Sequence, residues 1–129
     1  MFIYHFEENP TYLPLARAVF AWIERPGHSA TTSTLTLTEL LTLPYREIAE
    51  IEVRAFLGLL TTVPNLEWIP PDLAVANVAA RIRAEHRLRT PDAIQAGTAI
   101  QTGATGFLTN DRAFQRVDAF ESLILDDLL

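Results

Sequence analysis

The stretch of residues 90–111 constrains the fold of this chain more than any other part of the sequence. It opens with Thr-Pro-Asp, continues through a segment rich in alanine and other small residues, and reaches the apolar segment 106–109 followed by Asn-Asp. Thr90 suits the N-cap of a helix, Pro91 suits the first helical position, and Asp92 complements the positive end of the helix dipole. A helix that leads directly into a short buried strand predicts an α/β fold.

The rest of the chain alternates between helix-like and strand-like segments in the same way. Apolar residues spaced three or four apart indicate helices, and threonine-rich or β-branched runs indicate strands. We expect helices over residues 11–25, 36–43, 47–60, 72–87, 90–102 and 111–117, and strands over 29–35, 66–69, 106–109 and 123–125. Residues 1–6 are also rich in β-formers. This alternation predicts a single α/β domain over residues 1–129 with a mostly parallel sheet.

Local signals place the ends of several helices. Asn9 caps the first expected helix, and Pro10 takes its first position. The segment from Thr36 to Glu39 matches a capping box and opens a helix that Pro44 interrupts. The helix after Pro44 is expected to place four apolar residues on one face: Ile48, Ile51, Ala55 and Leu59.

Two residue types are absent, and each absence excludes classes of site. The chain has no cysteine, which excludes disulfides, zinc–thiolate sites and thiol nucleophiles and permits a reducing compartment. Its basic residues other than histidine are all arginine, which excludes Walker A and Schiff-base lysines. The net charge of −6 argues against a large nucleic-acid-binding surface, although metal-binding carboxylates contribute to it. Neither a secretory signal nor a membrane-length apolar segment is found, so we expect a cytoplasmic protein.

Three carboxylates follow strand-like segments and lie at expected helix starts: Glu39, Asp92 and Asp111. In α/β proteins such helix starts gather at one edge of the sheet, where ligands bind. Taken singly, each acid has a structural interpretation as a capping residue or as a partner of a helix dipole. Taken together, they predict an acidic site for Mg²⁺ or Mn²⁺, ions that activate water and neutralise charge on a phosphodiester.

A group of basic residues lies around the start of the same stretch, namely Arg81, Arg83, His86, Arg87 and Arg89. It forms either a solvated helix face or an edge that contacts phosphate, and the sequence leaves both open. His5 and His28 have no partner at metal-ligand spacing, so we interpret them as ordinary surface or boundary residues.

Four blocks of sequence resemble the PIN-domain proteins, and more narrowly the VapC toxins of toxin–antitoxin pairs. The blocks are Phe-Ile-Tyr-His-Phe-Glu at residues 2–7, Thr-Leu-Thr-Glu-Leu at 36–40, Arg-Thr-Pro-Asp-Ala-Ile-Gln-Ala at 89–96, and Phe-Leu-Thr-Asn-Asp-Arg-Ala-Phe at 107–114. The last two blocks are the most specific. Their order and spacing extend the resemblance over essentially the whole chain.

The resemblance implies a three-layer α/β/α sandwich around a mostly parallel sheet of four or five strands. It also implies an endoribonuclease that depends on Mg²⁺ or Mn²⁺, in which Glu39, Asp92 and Asp111 take three of the family's four acidic positions as catalytic and metal-binding residues. Thr109 and Asn110 would be supporting polar neighbours. The implied partners are an RNA substrate, often tRNA or rRNA, a cognate antitoxin whose C-terminal segment lies over the acidic site, and a second copy in a homodimer.

The chain departs from the family pattern at its first block. The family opens with a strand that ends in an aspartate, and that position would lie upstream of Met1. Three explanations stay open: a true start further upstream, a degenerate member that binds without cutting, or use of residues 1–6 as the missing strand with Glu7 as its acid. An upstream start is favoured, because loss of a central strand leaves backbone groups of two neighbouring strands unpaired.

Two other functions compete with the ribonuclease. The first is a catalytically inactive PIN-like module that binds RNA or a protein partner without cleaving, and the absent aspartate is its main support. The second is a small-molecule-binding α/β domain. The sequence offers no phosphate loop for it, because Gly103 and Gly106 precede a strand instead of following one.

Overall fold

The computed structural model of the chain describes residues 11–47 and 49–129. Its α-helices, numbered in chain order, are α1 Leu13–Glu24, α2 Leu35–Glu47, α3 Glu50–Thr61, α4 Leu73–His86 and α5 Thr90–Gln101. Its strands are β1 Ala30–Ser33, β2 Leu66–Ile69, β3 Gly106–Thr109 and β4 Glu121–Ile124, and 3-10 helices cover Arg112–Arg116 and Leu125–Leu128. These elements confirm the α/β class and the predicted order of helices and strands.

Some of the predictions fall on residues that lie outside the described ranges. They are the Asn9 cap with Pro10, the strand over residues 1–6, the candidate acid Glu7 and the placement of Ile48.

The four described strands form two parallel pairs. β1 lies beside β2, with Ala30 opposite Leu66. β3 lies beside β4, with Gly106 opposite Glu121. Within residues 11–47 and 49–129, neither pair has a third strand, so β1 and β3 each keep one edge without a described partner.

Helix α5 lies between the two strand pairs in the chain, and its contacts show the direction in which β1 and β3 run relative to it. Near its C-terminal end, Thr102 and Thr31 of β1 share a hydrogen bond between their hydroxyls at 3.2 Å. Nearer its N-terminal end, Gln95 Nε2 donates to Thr36 Oγ1, just beyond β1, at 3.1 Å. Helix α5 therefore runs antiparallel to β1. The chain then turns at Gly103, where φ is +74°, and returns along β3. The carboxyl ends of β1 and β3 consequently lie toward the N-terminus of α5.

Helices α4 and α5 approach each other closely because small residues line their contact. A Cβ atom on Gly97 would lie 3.1 Å from the Val75 carbonyl oxygen and 3.2 Å from the Ala79 nitrogen. Ala93 and Ala96 of α5 are fully buried. The predicted close packing of this alanine-rich helix is confirmed.

The buried apolar side chains form two clusters, one in each half of the molecule. The first half, defined as α1 to α3 with β1 and β2, contains Phe20, Ile23, Leu41, Val53 and Leu60. The second half, defined as α4 and α5 with β3 and β4, contains Ala79, Ile82, Leu88, Ala93, Ala96, Ala99, Phe114, Val117 and Phe120.

Helix α2 differs from its prediction at both ends. It begins at Leu35, whose backbone N–H donates to Ser33 Oγ at 3.1 Å, so the capping box at Thr36 is wrong. An interruption at Pro44 was also predicted, but the helix continues past Pro44 and ends at Glu47. A proline removes one backbone donor, and only the last three residues of α2 follow Pro44, so little of the helix depends on the hydrogen bond that is lost.

Helix α5 begins at Thr90, as the predicted range 90–102 has it, but Thr90 is not its N-cap. Its N-cap is Arg89, which has extended backbone angles and makes no side-chain cap hydrogen bond, while Thr90 is already helical. Asp92 therefore lies at the third helical position, still within the first turn, where the dipole favours a carboxylate.

Helix α3 places its predicted apolar face outward. Ile51 and Leu59 are 77% and 61% exposed. The helix packs instead through Val53 and Leu60, which are buried in the first-half cluster. Periodicity alone did not choose between these two faces, because both contain large apolar residues.

Candidate metal-binding site

Asp92 lies in the first turn of α5 and is the most shielded of the three candidate acids. Its side chain is 20% exposed and forms an ion pair in which Arg89 Nε lies 3.1 Å from Asp92 Oδ2. The guanidinium belongs to the N-cap residue of the same helix and is 80% exposed. Asp92 thus presents a carboxylate at the edge of the molecule with one oxygen held by a neighbouring cation.

A short hydrogen-bonded chain joins the helix of Asp92 to the helix of Glu39. Gln95 Nε2 donates to Thr36 Oγ1 at 3.1 Å, and Thr36 Oγ1 lies 2.9 Å from Thr32 Oγ1. Gln95 lies one turn after Asp92, and Glu39 lies one turn after Thr36, so each acid shares a helix face with one end of this link. The partly shielded Asp92 therefore lies in the first turn of α5, and the exposed Glu39 lies one turn beyond Thr36 in the second turn of α2.

Asp111 follows β3 and caps the 3-10 helix Arg112–Arg116. Its Oδ1 accepts a hydrogen bond from Ala113 N at 2.9 Å, and its own N–H donates to Thr109 Oγ1 at 3.1 Å. Its second carboxylate oxygen, Oδ2, accepts no hydrogen bond from the described part of the chain. Thr109, predicted as a supporting residue, therefore fixes the backbone that presents Asp111.

Asn110 is held by the C-terminal segment. Its Nδ2 donates to Asp126 Oδ1 at 3.3 Å, and its Oδ1 accepts from Asp126 N at 3.1 Å. The Tyr12 hydroxyl, at the N-cap of α1, also donates to Asp126. The Asn110 amide therefore anchors the turn between Thr109 and Asp111 to both chain ends of the described structure.

The residue after Asp111 is engaged in an ion pair on the same surface. Arg112 donates through both terminal nitrogens to Asp127, at 2.7 Å and 3.2 Å. The hydrogen bond and charge of Arg112 hold the pKa of the Asp127 carboxyl below its usual value, and the same contact raises the pKa of Arg112. The positive charge of Arg112 is therefore paired with Asp127.

The three acids share one end of the molecule, but they do not enclose a site by themselves. Within residues 11–47 and 49–129, no group of three histidine or acidic side chains is close enough to hold a metal ion. Mg²⁺ commonly keeps several waters and binds proteins through only one or two carboxylates. Asp92 and Asp111 have carboxylate oxygens, which are donors of the kind that such an ion prefers.

The basic group predicted from the sequence is largely engaged within the chain. Arg83 Nε donates to the Leu88 carbonyl at 3.1 Å, and His86 lies 3.7 Å from a Glu85 carboxylate oxygen. Arg89 pairs with Asp92. Arg81 and Arg87 are exposed, and neither side chain forms a hydrogen bond or ion pair in the described structure.

Sequence reasoning missed several residues that organise the site. The pair of Arg89 and Asp92 had a signal, because opposite charges three residues apart meet on a helix. The contacts of Gln95 with Thr36 and of Asp126 with Asn110 had none, because their partners are distant in sequence and meet only through the fold.

The PIN domain family model matches residues 2–120 of the chain. Among curated protein sequences, none matches it. The structure of VapBC2 from Rickettsia felis bound to a DNA fragment from their promoter is similar, with a TM-score of 0.69 and 16% identity over 95% of this chain and 91% of that one. A toxin–antitoxin complex from Klebsiella pneumoniae is also similar, with a TM-score of 0.62 and 21% identity over 85% of this chain and 82% of that one.

These similarities support the predicted fold. At these identities the solved structures show a common architecture only, and both are toxin–antitoxin complexes. In the described part of the chain, no helix has the length and apolar character needed to cross a membrane.

Proposed function

Because the chain belongs to the PIN domain family, whose members are generally nucleases, we propose that it is a divalent-metal-dependent endoribonuclease and the toxin of a toxin–antitoxin pair. One observation carries this proposal. The hydrogen bond from Gln95, in the second turn of α5, to Thr36, in the first turn of α2, joins the two helices that carry Asp92 and Glu39, and this contact supports a shared site with Asp111 after β3.

In this proposal the three acids have separate tasks. Asp92 and Asp111 would hold Mg²⁺ or Mn²⁺ with their carboxylates, of which the first is partly shielded and the second has Oδ1 bonded to Ala113 N. Glu39, which is exposed, would complete the acidic group and orient water beside them. A bound divalent ion activates water and neutralises charge on the phosphodiester. Thr109 keeps the Asp111 backbone in place.

We assign the fourth acidic position to a strand that would lie between β1 and β3. Each of these strands has one edge without a partner among residues 11–47 and 49–129, and a strand inserted between them would unite the two pairs into one parallel sheet. Its carboxyl end would bring an acid beside Asp92. Glu7 or an aspartate upstream of Met1 is the proposed source of that carboxylate.

The partner of the toxin in this proposal is a cognate antitoxin, and the substrate is RNA of the tRNA or rRNA class. The two similar structures, which are toxin–antitoxin complexes, support the antitoxin. A homodimer is the proposed assembly of the toxin itself. The rival function is an inactive PIN-like module that binds without cleaving. The lack of a three-carboxylate group within the described residues favours this rival.

The test of the proposed function is cleavage of a mixed RNA substrate with Mn²⁺. We expect Asp92→Asn and EDTA each to lower the cleavage rate by more than about 100-fold, because loss of a metal ligand exceeds the cost of losing an outer-shell contact. Asp118→Asn is the matched control, since Asp118 is exposed and makes no hydrogen bond in the described structure. Cleavage by Asp92→Asn at the wild-type rate would exclude this site.

Binding of Mn²⁺ separates the two functions. A nuclease should show saturable Mn²⁺ binding that Asp92→Asn removes, whereas the inactive module should show none. Metal binding without cleavage would indicate that the fourth acid is needed. The experiment would then be repeated on a chain with an upstream strand ending in aspartate.

A further inference from the structure

The ion pair of Arg89 and Asp92 places a cation on a carboxylate of the proposed metal site. Arg89 Nε lies 3.1 Å from Asp92 Oδ2, and the two residues are three apart at the start of α5. A divalent ion bound to Asp92 would face a positive guanidinium at contact distance. The two cations therefore compete for one carboxylate.

The pair is suited to exchange because it is weakly held. The Arg89 side chain is 80% exposed, and exposed ion pairs stabilise folded proteins little. The helix does not depend on this side chain, since Arg89 makes no side-chain cap hydrogen bond to α5. Arg89 can therefore leave Asp92 without disturbing the fold.

The remaining donors of Arg89 are free for another acceptor. Only Nε is used by Asp92, and neither terminal nitrogen makes a hydrogen bond to the described part of the chain. The guanidinium group binds phosphate in a planar, bidentate geometry. Arg87, two residues earlier, is also exposed, so positive charge continues along this edge.

We propose that Arg89 is an exchangeable counter-ion that pairs with Asp92 in the metal-free protein and contacts a phosphate of the RNA when a divalent ion occupies the acidic site. This inference rests on the proposed metal site and adds to it a residue that couples metal binding to RNA binding. Metal binding releases Arg89 from Asp92, and the released side chain increases the affinity for RNA.

The test compares Arg89→Met with Arg54→Met. Arg54 forms a similar exposed pair within a helix, 3.2 Å from Glu50, with side chains 75% and 71% exposed. Each substitution removes one positive charge and one helical ion pair, but only Arg89 lies at an acid of the proposed site. Circular dichroism and thermal unfolding of both variants serve as checks of folding.

Mn²⁺ binding is measured first, by titration of the full chain in the absence of RNA. We expect Arg89→Met to bind Mn²⁺ about two- to five-fold more tightly than wild type, as expected from removing the competition of an exposed pair. Arg54→Met should bind it as wild type does. Equal Mn²⁺ affinities for wild type and Arg89→Met would overturn the inference while leaving the metal site in place. Absence of saturable Mn²⁺ binding to wild type would overturn the proposed function as well.

RNA binding is measured next, by fluorescence anisotropy of a labelled single-stranded oligoribonucleotide. With Ca²⁺ in place of Mn²⁺, Arg89→Met should bind more weakly than wild type, and the salt dependence of log K should decrease by about 0.7, as for one lost phosphate contact. With EDTA the two proteins should bind alike. Arg89→Lys should retain metal competition and part of the RNA affinity. An unchanged salt dependence in Arg89→Met would contradict the phosphate contact.

Discussion

The two halves of the molecule hold their parallel strand pairs in different ways. In the second half, four of the nine residues in the buried cluster are alanines, and α4 approaches α5 so closely that Gly97 has no room for a Cβ atom without a shift. In the first half the cluster consists of large side chains, and other large apolar residues stay at the surface, including Ile51 at 77% and Leu59 at 61% exposure. The second half is thus the more tightly constrained.

This difference bears on where the acids lie. Asp92 belongs to α5, and Asp111 follows β3, so two of the three acids are positioned by the tightly packed half. Glu39 belongs to the first half and is related to Asp92 through the contact of Gln95 with Thr36. Close packing fixes the position of α5, because interiors of this density have little space into which to relax.

The largest expected loss of stability comes from a substitution among the packed aromatic side chains of the second half. Phe114 is 5% exposed, and its ring centroid lies 4.6 Å from that of Phe107. Phe107 in turn stacks on Phe120 at 4.7 Å. We expect Phe114→Ala to lower the free energy of unfolding by about 3–5 kcal/mol, measured by urea denaturation.

The matched change in the first half is Leu60→Ala, since Leu60 is fully buried in the other cluster. It should cost less, about 2–3 kcal/mol, because a smaller side chain is removed and the surrounding half relaxes more readily. An equal or larger loss for Leu60→Ala would show that the first half is the better packed, contrary to the comparison.

Two glycine-to-alanine substitutions test the contact of α4 with α5. Gly97→Ala would place a methyl group 3.1 Å from the Val75 carbonyl, and we expect it to destabilise the protein by about 1–3 kcal/mol. Gly58 of α3 has no atom within 4 Å of the corresponding position. Gly58→Ala should therefore stabilise the protein by about 0.4–1 kcal/mol. Thermal unfolding of both variants measures these changes in stability. We expect Tm to fall in Gly97→Ala and to rise in Gly58→Ala. A stabilising Gly97→Ala would contradict the close approach of the helices.

Residues close in sequence were predictable because local chemistry decides their structure. Gly103 ends α5 in a left-handed conformation that glycine adopts without strain, and the apolar segment after it forms β3 as expected. The position of Asp111 at the start of a helical turn followed from the same stretch. These predictions did not depend on the other half of the molecule.

Contacts between distant segments were not predictable in the same way. The partner of Gln95 is Thr36, and the partner of Asn110 is Asp126 at the C-terminal end, and no periodicity relates either pair. The sequence also did not determine which face of α3 is buried, because that choice depends on what packs against the helix. Such choices are made by tertiary packing and not by local preference.

The smallest expected effect concerns the ion pair of Arg112 and Asp127, which braces the second half beside Asp111. The pKa of Asp127 is lowered by its hydrogen bond with Arg112. An aspartate whose folded pKa lies below the unfolded value of about 3.9 contributes stability above that pH, and the contribution is lost as pH falls through the lowered folded pKa. Asp127→Asn should therefore lower Tm slightly at pH 7, and its difference from wild type should shrink as the pH falls below the unfolded pKa of about 3.9.

Thermal unfolding at several pH values, with Asp118→Asn as control, measures this dependence. Asp118 is exposed and its side chain makes no hydrogen bond or ion pair in the described structure, so its substitution removes a carboxylate without breaking such a contact. High salt should reduce the effect of Asp127→Asn, because exposed charges are screened. A Tm difference between wild type and Asp127→Asn that does not shrink as the pH falls would mean that this segment is held by contacts other than the ion pair. The bracing of the turn after Asp111 would then depend on the hydrogen bonds between Asn110 and Asp126.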